Sequence, residues 1–473
     1  MGQSIIPMSK VYQEYLVDES KYTGEAESIS FPETEEELLE ILKEVREAGV
    51  PVTIQGGKTG ITGGSVPEGG HILNLSRMNR VKDSWLCEDG TGRIVVEPGL
   101  NLMELQKESF ARFRKEALYW PVTPTETSAT VGGVAATGAQ GITRLLYGDS
   151  RAYIEKIRAV DGRGRVLELA EPEALDAFLG KEGITGVITE LTLILIPCPE
   201  ELWGILFFFG EERGALKFIE AMEPFVPREK SGEGARIASA EYLDGEILAM
   251  IEARKSTMSR IRELPEVTPG TGGAVYVELH GSEDGIEEIA GVLMELAAEY
   301  GSDPDTAWAV SGSGEVEKLH AFRHAAPETC NLFIEEARQK DPRITKLGTD
   351  MQTKGSGLWE QVSGYRKDLE AAKLEGCIFG HGLEGHLHIN LLPDSYESYE
   401  AGIRLFRTWA ERVRAESGTV LMEHGAGKLK SRIYRDCLAE AYREENRRLK
   451  DAYDPERRLN QGNRFTAEKA GEA

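Results

Sequence analysis

"IQGGKTGITGGSVPEGG", residues 54–70, places seven glycines in seventeen positions. Its Gly-Lys-Thr resembles the end of a nucleoside-triphosphate loop. That loop needs a glycine with four residues between it and Gly57, and the position is Val52. A GxGxxG fingerprint must open a helix, which the "SVPEGG" after Gly64 cannot do. What is left is a strand, "VPVTIQ", running into an extended turn rich in unhindered backbone N–H groups. Such a nest suits a pyrophosphate, because glycine lets the backbone approach an anion closely. A plain surface loop would share this composition, so the rest of the chain has to decide.

A second stretch, "PVTPTETSATVGGVAATGAQGITRLLYGDS" (121–150), combines hydroxyl side chains, the Gly132–Gly133 pair and small residues. It reads as a backbone surface laid against a large flat ligand. Around both stretches the chain alternates helix and strand. In "PETEEELLEILKEVREAGV" Thr34 and Glu37 form a capping box. Leu38, Leu39, Ile41, Leu42 and Val45 make the apolar face and Gly49 ends the helix. "RIVVEPG" (93–99) and "GVITELTLILIP" (186–197) read as strands, and Pro197 and Pro199 mark a boundary near 199. Strands at 202–210 and "GAVYVELHG" (273–281) follow, then a helix with the stripe Ile286, Ile289, Val292, Leu293, Leu296. "GCIFGHGLEGHLHINLLP" (376–393) reads as two strands joined by a glycine turn. A charged helix from Lys428 leads to "DPERRLNQGNRF".

The 473 residues exceed one ordinary core, so two or three domains are expected. A net charge of −25 argues against nucleic acid and against an anionic membrane surface as direct partners. The longest apolar run, "LWGILFFFG" (202–210), is strand length, and the first residues lack a signal-peptide core. Cys87, Cys198, Cys330, Cys377 and Cys437 are scattered without a CxxC, which excludes a zinc ribbon, an iron–sulfur centre and a disulfide framework. The reading is a reduced, cytoplasmic protein, or one held at the inner face of the membrane through a partner.

Four of the eight histidines fall within 44 residues: His381, His386, His388 and His424. On the hairpin reading His386 and His388 share a face, with His381 on the facing strand. Glu423 sets a carboxylate beside His424. Imidazoles and a carboxylate with an open position are what a catalytic divalent metal requires.

These stretches resemble the vanillyl-alcohol-oxidase (PCMH-type) flavoprotein superfamily, in the branch of D-lactate dehydrogenase, glycolate oxidase large subunit and D-2-hydroxyglutarate dehydrogenase. Residues 56–80 resemble its "GGxTGxTGGxVP" and "LSRMNR" pattern. Residues 121–148 resemble "PxxPTExxATxGGxxAT" followed by "YG", 183–193 "GxxGxITExTL", 380–388 "GHxxxxxLH" and 423–427 "EHGxG".

The resemblance implies an α+β fold. A two-part FAD-binding domain would span 1–199, an α+β substrate (cap) domain 200–420, and a helical C-terminal segment 421–473 would carry Glu-His and pack back near the flavin. It implies that Gly56, Gly57, Lys58, Thr59, Gly60, Gly63 and Gly64 hold the FAD pyrophosphate. Thr123, Thr130, Gly132 and Gly133 would line the isoalloxazine and ribityl chain, and Ile188 would lie near the adenine half. Lys58 stands where covalent members often carry histidine, so FAD is expected to be non-covalent. His381, His388 and Glu423 become ligands of zinc or manganese, and His424 the general base.

The turn "GLEGH" and Ala426 depart from the pattern, which leaves Glu384 and His386 as an extra ligand or a substrate contact. The segments 321–331 and 344–353 resemble those that anchor a carboxylate, with Arg323 first and Lys346 second, because arginine grips a carboxylate bidentately. Asp350 is read as structural.

The implied reaction is oxidation of a D-2-hydroxy acid to the 2-oxo acid. His424 would take the hydroxyl proton and C2 would deliver hydride to flavin N5. The electrons would pass to an external acceptor: a quinone, a cytochrome, an electron-transferring flavoprotein or an iron–sulfur subunit. A homodimer is one assembly the resemblance allows. The rival readings are a transferase of the alkyl-glycerone-phosphate synthase type, a non-catalytic flavin accessory subunit and a zinc hydrolase.

Overall fold

The computed structural model describes residues 4–122, 124, 126–226, 234–354 and 357–466. The chain divides into two compact units. One comprises Met1–Gly141, Asp149–Cys198 and Glu423–Ala473, and the other Ile142–Gly148 and Pro199–Met422. The fold is α+β, with a two-part first unit.

One part of the first unit is a four-stranded sheet in which His71–Asn74 runs parallel to both Ser28–Ser30 and Val52–Gln55. Helix Glu35–Glu47 packs Leu38, Ile41, Leu42 and Val45 into its core. Thr34 caps that helix by accepting from Glu37 N (3.2 Å), as the sequence predicts. The reciprocal half of the box differs: the Glu37 carboxylate accepts from Glu33 N (3.0 Å), one residue earlier than the motif requires.

The second part is a six-stranded sheet built around the twelve-residue strand Gly186–Pro197. Gly92–Val96 pairs on one side of it and Ile154–Asp161 on the other, all antiparallel. Being central and covered, the strand is a nearly continuous apolar run rather than an alternating one. The C-terminal residues do not form one helix. Gly427–Ile433 and Arg435–Tyr453 are separate, with buried Tyr434 between them.

The second unit is an eight-stranded sheet. Glu201–Phe209, Gly273–Gly281, Arg236–Asp244, Gly376–His381 and His386–Leu391 lie side by side in that order, each antiparallel to the next. Helix Glu283–Glu299 corrects the predicted stripe: Ile286, Ala290, Leu293 and Ala297 are buried, while Val292 is 38% exposed. Alanines complete the inward face because they allow a close approach to the sheet, and a count of large apolar residues overlooks them.

Candidate functional site

In the first unit, Val52–Gln55 feeds the glycine loop, whose base is stapled by Gln55. Its side-chain amide donates to the carbonyls of Tyr15 and Ser65, both at 2.8 Å. Among the described residues, none of the backbone N–H groups from Gly56 through Ser65 donates to an acceptor of the chain. Amides are obligatory donors, so a partly covered run of unspent ones fits an anion.

The loop meets the second stretch. Thr130 caps helix Val131–Thr137 through Gly133 N (3.2 Å), and a Cβ on Gly56 would lie 2.3 Å from Thr130 Oγ1. Gly57 faces Ser128 O in the same way, and a Cβ on Gly132 would strike Pro98. Gly56, Gly57, Thr130, Gly132 and Gly133 therefore come together. Thr59 and Gly60 are at the tip of the loop, and Gly63 and Gly64 face C-terminal residues.

Lys58 turns its side chain elsewhere. Its Nζ donates to Glu14 O (2.7 Å) and sits 4.2 Å from the centre of the Tyr15 ring, and burial lowers its pKa. Ile188 is buried in the core beneath the six-stranded sheet. Thr123 lies outside the described residues.

The C-terminal arm of the same unit carries Glu423 and His424, with His424 Nε2 at 3.1 Å from Glu423 Oε1. If Nε2 carries the proton, Nδ1 is the nitrogen with the lone pair. The glycines of "EHGAG" have a steric reason. Gly425 (φ +72°) would place a Cβ 2.9 Å from Glu182 Cδ, and Gly427 (φ +46°) one 2.2 Å from Thr62 O.

In the second unit the hairpin forms as read. His381 lies opposite His386, and Phe379 opposite His388. The three imidazoles converge: each offers a nitrogen, all within 4.8 Å of one another. Each ring is oriented by a partner. His381 Nδ1 lies 2.5 Å from Glu241 Oε1, His386 Nε2 lies 3.0 Å from Asp350 Oδ1, and His388 Nδ1 donates to Thr349 O (3.1 Å). His381 and His388 thus keep Nε2 as the basic nitrogen, the arrangement that metal-binding histidines use. Asp350 also accepts, through its backbone carbonyl, from the N–H of Met422, the residue before Glu423.

Arg323 is buried on helix Ser313–Lys340. Its Nε donates to Glu241 Oε2 (2.7 Å), and its guanidinium lies 5.3 Å from the centre of the Phe379 ring. Lys346 Nζ donates to Asn331 Oδ1 (2.7 Å), and Glu384 pairs with Arg144. Glu241, the hub between His381 and Arg323, was not singled out from sequence. The signal for it is a carboxylate between the small and apolar residues of a buried strand, "RIASAEYLD", which itself ends in a buried carboxylate, Asp244.

A second buried carboxylate was also missed. Glu278 accepts from Tyr276 Oη (2.5 Å), His280 Nε2 (2.7 Å) and His320 Nε2 (2.5 Å), and Tyr147 Oη reaches His280 Nδ1 (2.7 Å). Tyr276, Glu278 and His280 alternate along one strand face, which is a legible pattern. Burial by itself would lower the His320 pKa, but Glu278 raises it to about 10. His320→Gln is therefore expected to cost about 3 kcal/mol at neutral pH, because a buried carboxylate loses its cation. With the folded pKa above the unfolded value, the pair's stabilisation is complete below about pH 6.5 and lost as pH rises through 10. Urea melts of both proteins across that range check this; a pH-independent difference would exclude the ion pair as its source.

The FAD binding domain family matches residues 26–170, and the family of FAD linked oxidases, C-terminal domain, matches residues 218–463. The class is that of the flavoprotein oxidoreductases. Within it, the chain belongs to the FAD-linked oxidase family. The mitochondrial D-lactate dehydrogenase (cytochrome) of Arabidopsis thaliana is 27% identical over 446 residues, covering 92% of this chain and 72% of that protein. The mitochondrial D-2-hydroxyglutarate dehydrogenase of Rattus norvegicus is 27% identical over 420 residues, covering 85% and 71%. The structure of 4-ethylphenol oxidase from Gulosibacter chungangensis shares the fold. Its TM-score is 0.72 at 17% identity, covering 97% of this chain and 94% of that one. No described helix is long and apolar enough to cross a membrane.

Proposed function

We propose that the protein oxidises a D-2-hydroxy acid of the lactate kind to its 2-oxo acid and passes the electrons to an external acceptor. The observation that carries this reading is the Glu423–His424 pair, a base oriented by its own carboxylate. Relatives named for D-lactate and D-2-hydroxyglutarate support the substrate class and the handedness. Non-covalent FAD, when bound, supplies the two-electron redox chemistry. Gly56, Gly57, Thr59, Gly60, Gly63, Gly64, Thr130, Gly132 and Gly133 would hold it.

His424 takes the hydroxyl proton at Nδ1. Arg323 and Lys346 offer positive charge to the substrate carboxylate, with the η nitrogens of Arg323 as its reaching groups, since Nε is spent on Glu241. His381, His388 and Glu423 would hold a divalent metal, zinc or manganese, whose charge would acidify the hydroxyl. Glu241, behind His381, would keep that ligand in its basic tautomer.

The test is an anaerobic visible spectrum of the purified protein before and after adding each enantiomer of lactate and of 2-hydroxyglutarate. Bleaching of the oxidised-flavin bands by the D enantiomers alone is the expected result. A yellow protein that none of them bleaches would replace this reading with the transferase or accessory-subunit one, and a colourless protein that takes up no added FAD would end it.

A further inference from the structure

Glu182 stands just before strand Gly186–Pro197, and its backbone is unusual. A non-glycine residue with φ +53° is held in the left-handed region only where its surroundings over-determine it. Those surroundings are one set of contacts. Glu182 N donates to Ala136 O (2.6 Å), and Glu182 O accepts from Asn460 Nδ2 (2.6 Å) and Asn463 Nδ2 (3.2 Å). The buried side chain then spends both carboxylate oxygens on the arm, accepting from Ala426 N (2.8 Å) and Gly427 N (2.7 Å).

The glycine loop grips the same arm by its carbonyls. Thr62 O accepts from Leu429 N (3.0 Å), Thr62 Oγ1 donates to His424 O (3.4 Å), and Gly64 O accepts from Lys428 Nζ (3.4 Å) and Asn463 Nδ2 (3.0 Å). Thr62 and Gly64 thus spend their carbonyls on C-terminal residues, while among the described residues the amides from Gly56 to Ser65 donate to no acceptor of the chain.

We propose that Glu182 is a positioning residue that couples the placement of His424 to the order of the FAD loop. Filling the amide side of the loop with a pyrophosphate fixes the carbonyl side, and with it the arm. Glu182 supplies the rigid counter-hold from the sheet. The arm therefore reaches its working geometry only in the cofactor-loaded protein, and two sites that read as separate motifs respond as one. This rests on the function proposed above.

The experiment is hydrogen exchange on the full chain, flavin-stripped and reloaded with FAD, for the wild type and for Glu182→Gln. In the wild type, FAD is expected to slow exchange at 56–65 and at 424–430 together. In Glu182→Gln, where an amide NH₂ faces a backbone donor, FAD should protect 56–65 alone. The loaded variant should keep its flavin spectrum, yet be reduced about 100-fold more slowly by the hydroxy acid that bleaches the wild type. Its pH profile should be displaced, with partial recovery in Glu182→Asp.

The inference is overturned if 424–430 in the wild type ignores FAD, or if Glu182→Gln is reduced at the wild-type rate with an unchanged pH profile. Should the variant not fold, the wild-type exchange comparison decides by itself. A wild type that takes up no FAD sinks both readings. A wild type that bleaches beside an equally fast variant sinks only this one.

Discussion

Replacing His424 with glutamine is expected to slow substrate-driven flavin reduction about 10³-fold at neutral pH and leave the oxidised flavin spectrum unchanged. Glutamine fills a similar space and can still donate to Glu423, so the arm and the loop it packs on are preserved. What it cannot do is accept a proton. The residual rate should then rise steadily with pH, as solvent takes over that role. Anaerobic stopped-flow at several pH values measures both features. A variant within tenfold of the wild type would show that His424 is not the base.

Replacing Glu241 with glutamine should cost about 3–5 kcal/mol of stability, because it leaves the buried Arg323 guanidinium without its counter-charge. One carboxylate satisfies both Arg323 Nε and His381 Nδ1 through different oxygens. Glutamine has one acceptor for two donors and sets its NH₂ against the other. The urea midpoint should fall with little change in slope, which marks lost stability rather than an altered unfolded state. If His381 is a ligand, affinity for added Zn²⁺ should fall about 10- to 100-fold as well, since the partner that orients the ring is gone. An unchanged midpoint would mean that the Arg323–Glu241 pair holds little of this unit together, and an unchanged Zn²⁺ affinity would remove His381 from the ligand set.

What was legible in the sequence follows how far apart the interacting residues lie. The strand Gly186–Pro197 and the hairpin from Gly376 to Leu391 were readable because apolar runs, alternation and a glycine turn are local signals. The histidines were conspicuous because that hairpin gathers them within a few residues. Glu241 was not, since its partners stand 82 and 140 positions away, and Glu182 is 244 from Ala426. A carboxylate among the apolar residues of a strand is a local sign of burial, but nothing local says which distant residues it joins. Lys58 shows a different limit: the loop that contains it reads as a cofactor cradle, while its side chain, on a backbone with φ +59°, lies against Glu14 O and the Tyr15 ring. The motif located the loop, and only the backbone conformation located the side chain.

The partition of the chain has a bearing on how this protein can be handled as a gene. The polypeptide passes from one unit to the other after Gly141, returns after Gly148, leaves again after Cys198 and comes back after Met422. Neither unit is an uninterrupted reading frame. Any fragment that stops at 198 omits Gly427, Lys428, Asn460 and Asn463, which complete the surroundings of the glycine loop and Glu182. Domain exchange with a relative therefore calls for four coordinated junctions, at 141/142, 148/149, 198/199 and 422/423, because the seven residues 142–148 have to travel with the insert rather than with the flanks they interrupt.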